Sequence, residues 1–306
     1  LWGTRRIGPD LSRAGGTRTE NWHYVHLYAP RSVSPLSIMP SYAALFDGSP
    51  DRPTQDARDL VAYLETLGRA RELAWPEGDA AAAAAVPDDR WAQMAFDAPL
   101  LNAHPGRTRP GGDVPALGSS APAETGRMLW AHNCAGCHGE AGRGDGPAAQ
   151  WLRPRPTNLA EHEYARSRLA DALWNGVHGS SMPAWREYAP ADRAALADLV
   201  MSFSDPEQGP APSAQQLARG QTVYTQHCAS CHGPGGGGDG FAANHLPVPI
   251  PPTNFRSQRI AYEAGLRAVR NGIEGSSMAA WTQRLTDDQD IEAVVHYVRS
   301  LYEGGN

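Results

Sequence analysis

Several features that would indicate particular classes of protein are absent from the sequence. It contains no lysine, since all 27 basic residues are arginine, and we attach no functional meaning to this. The formal net charge of −6 leaves no basic footprint for nucleic acid. No run of 18 apolar residues occurs, so no segment is predicted to span a membrane, and no signal peptide is visible. Because the chain begins with Leu1 rather than Met, we expect further residues upstream.

Length and composition favour several small domains. The 306 residues suffice for two or three domains, and 32 glycines with 26 prolines indicate loop-rich domains rather than one large core. Cysteine is also scarce, with four residues in two pairs, CAGCH at 134–138 and CASCH at 228–232.

Both cysteine pairs have the C-x-x-C-H spacing that attaches c-type haem. The two thiols form thioethers with one porphyrin, and the following histidine is placed under the iron as the proximal ligand. A zinc ribbon would place its pairs roughly 15–20 residues apart, whereas these lie 94 apart. A thioredoxin-like dithiol needs a βαβ setting and occurs once. The pattern therefore predicts two covalent haems, on Cys134, Cys137 and His138 and on Cys228, Cys231 and His232.

An internal repeat surrounds the two pairs. GRGDGPAA (142–149) matches GGGDGFAA (236–243) at an offset of 94, whereas RPTNL (155–159) matches PPTNF (251–255) and HGSSMPAW (178–185) matches EGSSMAAW (274–281) at 96. The second copy therefore has a two-residue insertion near 244–250. Each copy is predicted to open on a helix, with a capping box at 213–216 in the second, and to close on one, at 189–203 and after TDDQ (286–289).

The repeat also predicts the sixth ligands of the irons. Met182 and Met278 are equivalent, each in a G-S-S-M loop, so we interpret them as axial ligands rather than core methionines. The other candidates lack equivalent partners and are interpreted as packing or surface residues; they are Met128, Met201, His132, His178 and His227.

Pro156 and Pro252 have two open interpretations. Each fixes a loop, and its carbonyl could accept a hydrogen bond from Nδ1–H of the proximal histidine. Alternatively, these prolines only interrupt loops.

The two repeats resemble tandem class I cytochromes c, through CAGCH/CASCH, the GDG loops, PTNL/PTNF and the GSSM loops. This resemblance implies an all-α fold of short helices around each haem. We predict a cytochrome c domain with haem 1 over 122–205, a linker over 206–213 and a domain with haem 2 over 214–303. Residues 1–75 are predicted to form a partial cytochrome c-like domain, followed by a linker over 76–121 whose poly-alanine run (77–89) could be helical.

The first residues resemble the mono-haem subunit of cbb-type haem–copper oxidases. The similarity lies in WGTRRIGPDL (2–11), WH (22–23), PRSV (30–33) and SIMP (37–40), with a closing helix expected over 54–68. In that family the C-x-x-C-H lies upstream of this run. Met39 is therefore a candidate axial ligand of a third haem, if upstream residues exist. The alternative is a domain that has lost its haem.

These features predict a periplasmic electron-transfer cytochrome, because covalent haem attachment occurs outside the cytoplasm. His/Met ligation leaves no open iron position, which favours electron relay over catalysis. The expected partners are subunits of a respiratory haem–copper oxidase, with membrane association only through upstream residues or partners. The alternatives are an electron-accepting subunit of a periplasmic dehydrogenase, a di-haem peroxidase and a gas sensor.

Overall fold

A computed structural model describes residues 11 and 15 and the ranges 18–67, 114–186, 188–248 and 250–304. The poly-alanine segment 77–89 lies outside these ranges. The regular elements of the described parts, which loops and turns connect, are helices except for two three-residue strands. The predicted helical class is therefore confirmed with one small addition. None of the helices in these ranges has the length and apolarity needed to cross a membrane.

Residues 18–67, called the N-terminal unit below, contain α1 (Glu20–Tyr28), α2 (Pro30–Val33) and α3 (Gln55–Thr66). Thr19 and Thr54 cap α1 and α3, because their side-chain oxygens accept hydrogen bonds from Trp22 N–H and Ala57 N–H. The apolar faces of α1 and α3 meet in a core formed by Tyr24, Leu27, Phe46, Ala57 and Val61.

The first repeat contains α4 (Ala123–Asn133), α5 (Ala135–His138), α6 (Arg166–Asn175) and α7 (Pro190–Phe203). Its 3₁₀ turns are Ala149–Trp151 and Leu159–Glu161. The core gathers one apolar face from each long helix, and its members include Trp130, Leu169, Leu173, Leu196 and Val200. This arrangement leaves the short α5 at the edge of the core.

The second repeat has the same order, with α8 (Ala214–His227), α9 (Ala229–His232), the 3₁₀ turn Ala243–His245, α10 (Tyr262–Asn271) and α11 (Asp288–Ser300). The capping box predicted at the start of α8 is confirmed, since Ser213 and Gln216 each accept the other's backbone N–H. The cap of α11 is Asp287, whose carboxylate accepts from Gln289 N–H. It is thus the second residue of the predicted TDDQ signal, not the first.

In each repeat the opening and closing helices cross at a glycine. A Cβ on Gly126 would lie 2.7 Å from the Ala195 carbonyl oxygen, and one on Gly220 would overlap the Ala293 carbonyl oxygen. Glycine is therefore required at these positions for close approach of two backbones. This contact brings the helix that precedes each C-x-x-C-H against the closing helix.

The two repeats are joined by an antiparallel ribbon of β1 (His162–Tyr164) and β2 (Gln258–Ile260). Its central pair, Glu163 and Arg259, occupies equivalent positions in the two repeats and forms an ion pair. The ribbon continues in the same symmetric way at both ends, where Ala165 N–H donates to Ser257 O (2.8 Å) and Ala261 N–H donates to Glu161 O (2.7 Å). The repeats are therefore related by a local pseudo-two-fold axis through the ribbon.

The segment between the repeats forms backbone hydrogen bonds with both of them. Asp205 N–H donates to Ala160 O (3.0 Å) in the first repeat, and Tyr262 N–H of the second donates to Glu207 O (3.0 Å). A Cβ on Gly209, whose φ is +65°, would collide with the Tyr262 ring. Residues 204–209 thus contact both repeats next to the ribbon, and these contacts keep the two repeats close together.

Candidate functional site: two haem-attachment sites in one cavity

Each C-x-x-C-H sequence forms a single helical turn. His138 N–H donates to Cys134 O and His232 N–H donates to Cys228 O, both at 2.9 Å. Residues three and four positions apart lie on one side of a helix, so both cysteines and the histidine share one face. We call Cys134, Cys137, His138 and Met182 the first site, and their equivalents Cys228, Cys231, His232 and Met278 the second site.

A glycine with positive φ ends both of these turns. Gly139 and Gly233 have φ of 78° and 80°. Their carbonyl oxygens accept hydrogen bonds from Trp130 Nε1 (3.1 Å) and from Tyr224 Oη (2.6 Å) on the preceding helices. These aromatic residues are equivalent in the repeat, and both are buried. They fix the position of the turn that carries the histidine.

All eight residues of the two sites line one continuous cavity of about 2190 Å³. Ligand pockets typically measure about 300–1,000 Å³, so this cavity has room for two large groups. Pro156 and Pro252 also line it. The ribbon residues His162, Tyr164, Gln258 and Ile260 lie on its wall, so the two sites open toward each other.

The imidazole of His232 is oriented by a backbone carbonyl. Its Nδ1 lies 3.2 Å from Thr253 O. A carbonyl only accepts, so Nδ1 carries the proton and Nε2 keeps its lone pair for a metal. The acceptor is one residue beyond the predicted Pro252. The Pro252 carbonyl instead lies against Gly238, where a Cβ would come within 2.6 Å of it.

His138 lies at the equivalent position of the first repeat, but its imidazole does not form the equivalent hydrogen bond. Its Nδ1 is buried and has no hydrogen-bond partner among the described residues. Burial lowers the pKa of this imidazole to about 4, and the nearby Thr157 backbone only partly offsets the effect. The ring is surrounded by protein but keeps accessible surface because it faces the cavity. Pro156 O lies against Gly144, so the predicted proline carbonyl packs on a glycine in this repeat too.

Burial is the main influence on the pKa values of the thiols. Burial raises the pKa of Cys134 to about 12, that of Cys137 to about 11 and that of Cys228 to about 12. The pKa of His232 is lowered, mainly by burial. The lining is therefore suited to neutral sulfur and neutral imidazole groups rather than to ionised ones.

The two methionine loops line the same cavity as the C-x-x-C-H turns. Met182 O accepts from Val177 N–H (3.0 Å), and Met278 O accepts from Ile273 N–H (2.9 Å). In both loops the methionine carbonyl packs against a glycine at the start of the loop, since a Cβ on Gly176 or Gly272 would lie 2.6 Å from that carbonyl oxygen. The structure thus brings Met182 and Met278 to the cavity; their ligation of iron stays a prediction.

The remaining candidates have different surroundings. Met39 packs against the core of the N-terminal unit and is not part of the cavity lining. Met128 and Met201 are 49% and 40% exposed. His178 and His227 line the cavity, and the His227 ring lies 5.8 Å from that of Trp281.

Sequence reasoning missed the groups that hold the sites in place. These include Trp130, Tyr224 and the crossing glycines Gly126 and Gly220. Their equivalent positions in the two repeats were a usable signal.

The donor set and the cavity fit haem c. Each site supplies two neutral thiols three residues apart and a buried imidazole, within a cavity large enough for two porphyrins. A chain with two such sites is a c-type cytochrome.

Comparison with known families agrees with this class. Residues 121–200 and 215–298 match the family described as "Cytochrome C oxidase, cbb3-type, subunit III". Residues 1–66 match "Cytochrome C oxidase, mono-heme subunit/FixO". Since the first match covers more than half of the sequence, the chain belongs to the cbb3-type subunit III family of c-type cytochromes, and both predicted resemblances are confirmed.

Individual relatives carry the same names. The chain is 30% identical over 187 residues to the cbb3-type cytochrome c oxidase subunit CcoP of Azospirillum sp. (strain B510), covering 58% of this chain and 62% of the relative. It is 29% identical over 203 residues to subunit FixP of Azorhizobium caulinodans, covering 62% and 63%. The chain thus spans under two thirds of each relative's length. Among solved structures, a chain of the Kuenenia stuttgartiensis reducing HAO-like protein complex is 24% identical over 62% of this chain, with a TM-score of 0.30.

Proposed function

We propose that this chain relays single electrons between two haem c groups as part of a respiratory haem–copper oxidase of the cbb3 type. The observation that carries the proposal is the shared cavity, because all eight predicted attachment and axial residues line it. Two haems held there would share this one cavity.

The cysteines and histidines have separate roles in this proposal. Cys134 and Cys137 hold the first haem and Cys228 and Cys231 the second, through thioether bonds. His138 and His232 are the proximal ligands, and the carbonyl of Thr253 keeps the His232 proton on Nδ1. Haem c, when bound, supplies a one-electron iron couple.

Met182 and Met278 complete the coordination. Because both irons would then be six-coordinate, neither offers a position to a substrate, and the chain acts as an electron-transfer subunit without bond-making chemistry of its own.

The wider assignments rest on the family names. The names of the relatives support oxidase subunits as partners. The periplasmic location is supported by the predicted haem attachment, which occurs outside the cytoplasm, with membrane attachment through other residues or partners. The similarity of residues 1–66 to a mono-haem subunit supports Met39 as an axial ligand of a third haem whose attachment cysteines lie outside this sequence. We propose the predicted division into domains 1–75, 122–205 and 214–303 on the same grounds.

Alanine variants of the two methionines test the ligation. Met182→Ala and Met278→Ala should each open one iron, so that the reduced protein binds carbon monoxide at one haem, and the double variant at two. The measurement is a carbon monoxide titration followed by visible absorption. Unchanged spectra in both single variants, or carbon monoxide binding by the unmodified protein, would contradict His/Met ligation.

A further inference from the structure

The two methionine loops have the same internal structure. In the first, Ser180 Oγ donates to Val177 O (2.8 Å) and accepts from Met182 N–H (3.1 Å). The second loop repeats both bonds at the same distances, 2.8 and 3.1 Å, through Ser276. The two loops differ in the residues that lie against them.

The next serine of each loop has a different partner in the two repeats. Ser277 Oγ accepts from Val248 N–H (3.1 Å) and donates to Val248 O (3.2 Å). Val248 lies within 244–250, the segment of the second repeat that contains the two-residue insertion. The first repeat lacks this insertion, and Ser181 Oγ instead lies 2.7 Å from Oγ1 of Thr19 in the N-terminal unit.

The tryptophan that follows each methionine shows the same contrast. The Trp281 ring lies under Arg284 of its own repeat, 5.4 Å from the guanidinium carbon. The equivalent Trp185 lies under Arg18 of the N-terminal unit, at 5.9 Å. The same guanidinium lies 5.1 Å from the Trp22 ring, so it bridges two aromatic rings from different parts of the chain.

Arg18 and Thr19 are held there by an apolar contact beneath them. Val25 and Val33 of the N-terminal unit form one buried cluster with Ala148 and Leu152 of the first repeat. At the C-x-x-C-H turn the backbones touch, because a Cβ on Gly136 would lie 2.7 Å from both Ser32 O and Val33 O. The second repeat has serine at the position of Gly136.

The N-terminal unit also covers the cysteine side of the first site. Arg18, Trp22 and His26 line the cavity, and Trp22 and Cys137 both pack against the valine cluster. The positive charge of Arg18 also partly offsets the effect of burial on the pKa of the Cys137 thiol. One short segment therefore reaches both the attachment turn and the methionine loop.

We propose that Arg18 and Thr19 are positioning residues for the first haem site, and that they hold the Met182 loop as the Val248 insertion and Arg284 hold the Met278 loop. This inference rests on the proposed methionine ligation. It makes the first site dependent on the N-terminal unit. The second methionine loop is held instead by Val248 and Arg284 of its own repeat and by an ion pair between Glu274 and Arg153 of the first repeat, although the ligands of the two sites are equivalent.

Two matched double variants of the complete, haem-loaded protein test this. Arg18→Gln/Thr19→Gly removes the guanidinium and the hydroxyl at the first site, and glycine remains acceptable as the cap of α1. Ser277→Ala/Arg284→Gln removes the same two groups at the second site. Carbon monoxide binding to the reduced protein and the two midpoint potentials are measured for each variant, with Met182→Ala as the reference for an opened first site.

We expect Arg18→Gln/Thr19→Gly to weaken methionine ligation at the first haem about tenfold, given the loss of one hydrogen bond and one cation–π contact. Carbon monoxide should then bind one haem, and one potential should fall while the other stays constant. The Ser277→Ala/Arg284→Gln variant should change the other haem.

Equal effects of the first variant on both haems, or no effect on either while Met182→Ala opens its site, would overturn the positioning role and leave ligation intact. If Met182→Ala itself changes nothing, the proposed ligation fails first.

Discussion

At the residue scale, the least expected group is His26 in the N-terminal unit. Its ring lies 4.5 Å from that of Trp22 and faces the shared cavity. Burial, together with the charges of His23 and Arg18, lowers the pKa of His26 to about 4 from an ordinary 6.5. The folded chain therefore holds this imidazole neutral at pH values where the unfolded chain protonates it.

This shift predicts acid sensitivity of the N-terminal unit. Between pH 6.5 and 4 the unfolded state binds a proton that the native state does not, so stability is lost as pH falls through this window. From pH 7 to pH 5 the contribution of His26 should fall by about 1–2 kcal/mol. Hydrogen exchange of the α1 amides measures this local opening energy.

His26→Gln is the control, because glutamine does not titrate. The difference between the opening energies of the unmodified protein and this variant should change with pH by the same 1–2 kcal/mol, roughly. A difference that stays constant between neutral and acidic pH would show that His26 is accessible to protons in the folded state.

At the element scale, the helix crossings decide where the attachment turns lie. Gly220 allows the backbone of α8 to approach that of α11, and α8 leads directly into the second C-x-x-C-H. Gly126 does the same between α4 and α7, at a slightly wider separation. A side chain at either position must push the helices apart.

Gly220→Ala should therefore destabilise the second repeat by about 1–3 kcal/mol, although alanine is the better helix former. Gly126→Ala should destabilise the first repeat by less, because its Cβ would lie farther from the facing carbonyl oxygen. Gly235→Ala is the matched control, since a Cβ there meets nothing within 4 Å. Thermal unfolding, followed by the circular dichroism of the helices, gives the midpoints of the three variants. A midpoint of Gly220→Ala equal to that of Gly235→Ala would contradict the close crossing of α8 and α11.

The same scale shows what a sequence can and cannot predict. The C-x-x-C-H turns and the Ser213 capping box are local patterns, so spacing alone located them. The methionine loops were found because the repeat shows both copies. The Thr253 acceptor was missed by one residue, since the direction of a loop carbonyl depends on the glycine packed against its neighbour Pro252.

At the scale of the whole molecule, contacts between distant segments were not predictable. The segments HEY (162–164) and QRI (258–260) pair with each other, but no pattern in these short sequences predicts the pairing. The docking of the N-terminal unit on the first repeat depends on Val25 and Val33 meeting Ala148 and Leu152, which are separated by more than a hundred residues. Such contacts depend on the complementary shapes of folded surfaces.

These long-range contacts give the molecule its asymmetry. Two repeats with equivalent candidate ligands are joined by a symmetric ribbon, and the described residues of the N-terminal unit pack against the first repeat. The first site therefore has a neighbour, the N-terminal unit, that its equivalent in the second repeat does not share among the described residues.

The most direct test of the central claim is the haem content of the chain after maturation in a host that attaches haem c. Intact mass and the pyridine haemochrome spectrum of the 306-residue chain should show two haems, both covalently bound. Replacing Cys134 and Cys137 by alanine should leave one, as should replacing Cys228 and Cys231. One haem or none on the unmodified chain, or haem that is removed by acidified solvent, would contradict the two-site account.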